Sequence, residues 1–145
     1  MSSSGVNVSR DLIWILTNNN NAQMFKRPGI AKRFSKDPLN PKGIQSFRNA
    51  GSLQNRAATI QPDPSGKGVV LVHKNRGRGR NPAKSLTRVS LKRSAGKTIQ
   101  TIKRFVNKNK YRRDLKTVLL RRASAILQSQ KKQAVKVTGK GKKKD

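Results

Sequence analysis

Thirty-five lysines and arginines face five aspartates and no glutamate in this 145-residue chain. The net charge of +30 leaves about one uncompensated cation for every five residues. A compact body of this length has a radius of gyration of only ~15 Å, and so much like charge on it opposes folding in isolation. A polyanion in the native surroundings removes that conflict. Nucleic acid is the densest one, because its phosphates neutralise the cations while released counterions drive association. An ordinary solvated surface intersperses both signs of charge, and here the acids are missing.

The apolar residues make up 32% of the chain, enough for one modest core with extensions. Without cysteine there is no disulfide framework and no thiolate metal site, which fits a reducing compartment. The longest apolar run, Leu12 to Leu16, falls far short of the ~20 residues that span a bilayer. Without a positive region followed by an apolar one at its start, the sequence is not expected to carry a secretory signal. The expectation is an intracellular protein without membrane contact. Catalysis has little to draw on. His73 is the sole histidine, and Asp11, Asp37, Asp63, Asp114 and Asp145 are scattered, most of them explained as caps, turns or terminus, with no acid–base pair among them. Gly66-Lys67-Gly68 reads as turn chemistry, not as a phosphate cradle. No enzyme, cofactor or metal is expected.

The pattern predicts an α+β fold: an N-terminal helix, a small antiparallel sheet with a hairpin, two C-terminal helices, a long basic loop and a disordered basic tail. Residues 1–8 read as a flexible N-terminus, 9–130 as the single domain and 131–145 as the Lys-rich tail. Ser9 is placed as an N-cap with Asp11 in the first turn, opening a short buried helix with Trp14 in the core; a strand is the alternative, because periodicity does not decide so short an apolar run. Residues 22–27 suit a first strand. Pro28, Gly29, Pro38, Pro41, Gly43 and Gly51 make 28–51 irregular, an extended basic loop anchored by Phe34, Leu39, Ile44 and Phe47. Residues 56–60 and 68–74 form a hairpin about a turn-rich centre, and 86–91 alternates as a further strand. Ile99, Ile102, Phe105 and Val106 recur at helical spacing, as do Leu115, Val118, Leu119, Ala123, Ile126 and Leu127.

The candidate nucleic-acid contacts are the cations of the loop, Lys26, Arg27, Lys32, Arg33, Lys36, Lys42 and Arg48. Arg76, Arg78 and Arg80 alternate with glycine, so forked donors meet backbone that allows close approach. Lys84, Arg88, Lys92 and Arg93 continue that run without an acid. Lys108, Lys110, Arg112 and Arg113 surround Tyr111, which either stacks on a base or staples onto the following helix. Lys116, Arg121 and Arg122 add charge along that helix, with Leu119 and Ala123 facing inward. Lys131 and Lys132 begin the tail, which suits nuclear import as well as RNA tracking.

Asn109-Lys110-Tyr111-Arg112-Arg113-Asp114-Leu115, continuing through Arg121-Arg122-Ala123-Ser124-Ala125-Ile126-Leu127, resembles the C-terminal helix of the eukaryotic large-subunit ribosomal protein twenty-eight family. Leu12-Ile13-Trp14, Phe34-Ser35-Lys36-Asp37-Pro38, Ser46-Phe47-Arg48 and Gly68-Val69-Val70-Leu71-Val72 match in the same order, over about residues 10–132. Arg113 departs from the Pro common in that family, and the N-terminus and tail differ as well. The resemblance implies a non-catalytic protein embedded in large-subunit rRNA, with neighbouring ribosomal proteins as partners and no homo-oligomer. It also implies a place in the cytosolic large subunit after passage through the nucleolus. Two other readings stay open: a nucleolar ribosome-assembly factor with a related domain, and a basic DNA- or chromatin-binding protein.

Overall fold

A computed structural model describes residues 8–75, 77 and 81–139, with side chains through Lys131. The elements run α1 (Arg10–Thr17), β1 (Met24–Arg27), β2 (Ile30–Ser35), β3 (Ala58–Pro62), β4 (Val69–Lys74), α2 (Pro82–Ser85), β5 (Leu86–Leu91), α3 (Ala95–Lys108), a 3-10 turn (Arg113–Leu115) and α4 (Lys116–Gly139). They form two compact units. One comprises residues 1–59 and 72–88, the other 60–71 and 89–145.

In the first unit, the Ser9 hydroxyl accepts a hydrogen bond from Leu12 N at 3.2 Å, capping α1 as its position before the apolar run predicts. No residue of α1 is buried, however, which corrects the expected buried helix. Five consecutive apolar residues at 100° per residue wrap around a helix, so one side cannot hide them all. Trp14 is half-buried, its ring 5.9 Å from that of Phe47. β1 and β2 form an antiparallel hairpin with Phe25 opposite Phe34, ring centroids 5.4 Å apart. β2 therefore replaces irregular chain within 28–51. Pro28-Gly29 makes the hairpin turn, Gly29 at φ +72°, and does not break an element.

The rest of that basic loop is ordered by side chains acting on its own backbone, in the manner of Asx turns. Asp37 accepts from Leu39 N (2.9 Å) and Ser52 N (3.0 Å). Asn40 accepts from Lys42 N and Gly43 N and donates to Ile44 O. Lys74 of β4 donates to Ser52 O (3.3 Å) and Gln54 O (3.1 Å), and burial pushes its pKa down against the opposing pull of Asp37. Leu39, Ala50, Ala57, Ala58 and Val72 are the buried apolar residues here.

The strands β3, β4 and β5 form one sheet in that order. Asp63 N donates to Gly68 O at one end of the β3–β4 pair and Lys74 N to Ala57 O at the other, a pattern that only antiparallel strands make. In the second unit Ile60, Val69, Leu71, Ile102, Val106, Tyr111, Leu115, Leu119 and Ala123 are buried. α3 and α4 pack together through the i, i+3, i+4 faces read from the sequence. The β3–β4 turn is held from two sides. Asp63 accepts from Ser65 N (2.9 Å), the Ser65 hydroxyl (2.6 Å) and the Ser90 hydroxyl, and it pairs with Lys92 at 3.6 Å. Those hydroxyls, aided by Lys92, hold its carboxyl far below the usual range. Gly68 at φ +88° uses backbone space that a side chain would lose, since a Cβ there would sit 2.5 Å from Leu91 O. Its N–H and C=O both bond the Gln130 amide of α4, at 3.0 and 2.8 Å, as a strand's peptide would.

α4 runs to Gly139, so the tail expected to be disordered from 131 is helical for its first nine residues. Gln, Lys and Ala are good helix formers, and their composition there outweighs the charge. Residues 140–145 lie outside the described residues, as do 1–7.

Candidate nucleic-acid interface

Arginines and lysines recognise phosphate only when their heads reach solvent. In the first unit Lys26, Arg27, Lys32, Lys36, Lys42, Arg48, Lys84 and Arg88 are exposed. Arg27 and Lys36 also lie over the Phe25 ring, at 5.8 and 5.6 Å, which orients both heads on one hairpin. Arg33 is a different case, for its Nη1 donates to Asn18 O (3.2 Å) and Asn19 Oδ1 (2.6 Å), tying β2 to the end of α1. Burial pushes His73 below its ordinary 6.5, so it is neutral at pH 7 and adds no cation. Arg76, Arg78 and Arg80 lie outside the described residues.

In the second unit Lys92, Arg93, Lys108, Lys110, Arg113, Arg121 and Lys131 are exposed, and Lys116 is half-exposed. For Lys132 only the backbone is described. Three of the candidate side chains are engaged within the protein itself, and for Tyr111 this is the packing alternative of its two readings. Tyr111 is buried, its ring 5.3 Å from Phe105, so it packs in the core and offers no face to a base. Left-handed backbone on both sides, at Lys110 (φ 46°) and Arg112 (φ 44°), turns the chain so that this ring points inward. Arg112 makes a two-pronged pair with Asp114, both bonds 2.9 Å, and its fork is occupied. Arg122 donates from Nε to Ile60 O at 2.7 Å, and burial lowers its pKa although the guanidinium remains charged. Of the adjacent pair on α4, Arg121 is the one whose side chain is exposed.

Sequence reading passed over a basic stripe on α3. Lys97, Arg104 and Lys108 are exposed and recur at i, i+7 and i+11, within about 20° of one line on a helix. The buried Thr98, Ile102 and Val106 mark the other side. The seven-residue spacing was visible in the sequence, and attention to the apolar period alone hid it. Beside the start of α3 lies an open hollow of about 600 Å³ lined by Ser90, Leu91, Lys92, Arg93, Thr98 and Thr101. Its hydroxyls are engaged: Ser90 bonds Asp63, Thr98 bonds Arg93 O, and Thr101 bonds Lys97 O. It offers cations and no activated nucleophile.

Among the described residues no group of three or more His, Cys, Asp or Glu could hold a metal ion, and no helix is long and apolar enough to cross a membrane. Asp63 and Asp114 pair with cations, while Asp37 serves backbone amides. Among the described residues, exposed cations lie on the β1–β2 hairpin of the first unit and on the helices of the second. These features define a class: small, strongly basic α+β proteins.

The model of the Ribosomal L28e protein family matches residues 12–129, and this chain belongs to that family. It is 36% identical over 129 residues to the large ribosomal subunit protein eL28 of Schizosaccharomyces pombe, covering 87% of this chain and 96% of the relative. The eL28 of Caenorhabditis elegans is 35% identical over 127 residues, covering 88% and 94%.

Proposed function

We propose that this chain is a structural, non-catalytic constituent of the cytosolic large ribosomal subunit, which binds rRNA and supports translation. The observation that carries this reading is the family match across residues 12–129, nearly the whole described body. The physical arrangement agrees with it, since exposed Lys and Arg neutralise converging phosphates and hold separated RNA segments in one geometry. Contacts to backbone and sugar fix position, and RNA shape matters more than base sequence. Neighbouring large-subunit proteins are partners, and the chain passes through the nucleolus during assembly.

Tagged protein should co-sediment with large subunits at about 0.5 M salt, where exposed charge pairs alone are screened. Ribonuclease should release it and DNase should not. Confinement to nuclear pre-particles would oppose the reading. The α3 stripe should carry part of the affinity. The Lys97→Ala, Arg104→Ala, Lys108→Ala triple variant should lower the slope of log K against log salt by roughly 2–3 in rRNA binding. An unchanged slope would remove the stripe from the interface.

A further inference from the structure

α1 divides cleanly into two faces. Ile13, Trp14 and Thr17 lie on the half-buried side, where Trp14 meets Phe47 and Arg10 bonds Gln54 at 3.3 Å. Leu12, Ile15 and Leu16 fall on the opposite arc, 48%, 69% and 70% exposed, with Val8 at 40% extending the patch past the cap. A contiguous aliphatic patch on a chain short of apolar residues marks an interaction surface.

Charge selects the occupant. Residues 1–25 contain one cation, Arg10, and one acid, Asp11, so all of the +30 resides in residues 26–145. RNA covers a surface through cations, and this patch has none, the Arg10 head being turned to Gln54. A second copy would bring another +30 body against the first. Residues 1–7, 76, 78–80 and 140–145 carry two apolar side chains beyond glycine, Met1 and Val6, too little to cover three aliphatic side chains. Resting on the ribosomal reading, we propose that the Leu12–Ile15–Leu16 face docks into an apolar groove with a neutral or acidic rim on another protein of the same particle. The molecule then has two kinds of surface, one cationic for RNA and one uncharged for a protein neighbour.

The test uses the full tagged chain in purified large subunits. A photoreactive benzoylphenylalanine replacing Ile15 should, on irradiation, join a peptide of a second subunit protein identifiable by mass spectrometry. Leu16→Lys should leave the subunits roughly tenfold faster in a salt wash, as burial of one aliphatic side chain is worth that much. Its helical content and affinity for free rRNA should stay within about twofold of the unaltered chain, since Leu16 supports neither. Adducts to RNA, to residues 1–7 or to a second copy, an absence of adducts, or a Leu16→Lys chain retained like the unaltered one would each overturn the proposal. If the unaltered chain itself were missing from the subunit peak, the ribosomal reading would fall along with it. If it is present without the expected adduct, only the docking face fails.

Discussion

Gly51→Ala should lower the stability of the purified chain by roughly 3 kcal/mol, seen as a lower urea midpoint with an unchanged slope. A Cβ at this buried glycine would lie 2.3 Å from Leu39 Cβ and 3.0 Å from the Leu39 carbonyl carbon and oxygen. Neither strand of chain has freedom to yield. The Asp37 carboxylate holds the Leu39 amide with one oxygen and the Ser52 amide with the other. Lys74 fixes the carbonyls of Ser52 and Gln54 just beyond. Any shift that relieves the clash must break charge-assisted bonds, so the cost comes from overpacking and lost hydrogen bonding together. Gly96→Ala is the control. That position lies in the first turn of α3 with nothing within 4 Å of a new Cβ, and alanine there should be neutral or stabilising by up to ~1 kcal/mol. Measurement in about 0.5 M salt screens the self-repulsion of the free chain. Equal behaviour of the two variants would refute the packing seen at Leu39.

Leu119→Ala should cost about 3 kcal/mol and lower the melting temperature by roughly 10 °C. Leu119 is fully buried beside Ala123 where α4 packs on α3, and truncation leaves a cavity that a helix pair fills poorly. Two residues along, Arg121 is exposed, and Arg121→Ala should change stability by no more than ~0.5 kcal/mol while weakening rRNA binding. The contrast separates the two uses of one helix. A stability loss from Arg121→Ala matching that of Leu119→Ala would contradict the assignment of inner and outer faces.

These two sites differ in how openly the sequence announces them. The α4 face follows from apolar residues at i, i+3 and i+4, and β5 from the alternation read over 86–91, although its burial does not alternate. The continuous Val-rich apolar run at 69–72 marks β4 for a different reason, as a strand covered on both faces is apolar throughout. Gly51 gives no such sign, because its constraint lies in a close approach to Leu39 twelve residues away. β2 was hidden because Pro28-Gly29 suits a hairpin turn as well as a break, and only the pairing of Phe25 with Phe34 decides. Among the cations, Arg122 looks like Arg121 in sequence, yet it stands three residues on from Leu119 and so borders the buried stripe. Tyr111 among four cations resembles a stacking platform until two left-handed residues turn it inward. Solvent-facing cations were thus legible as a group, and the individual exceptions required three-dimensional neighbours.

The Gln130 amide clasping Gly68 spans 62 residues of sequence. A chain leaving the ribosomal tunnel grows at ~5–20 residues per second, so the β3–β4 turn emerges seconds before the helix that fastens it. During that interval β5 emerges as well, so all three strands of the sheet are available before the clasp can close. These two hydrogen bonds can therefore form only after residue 130 has been synthesised.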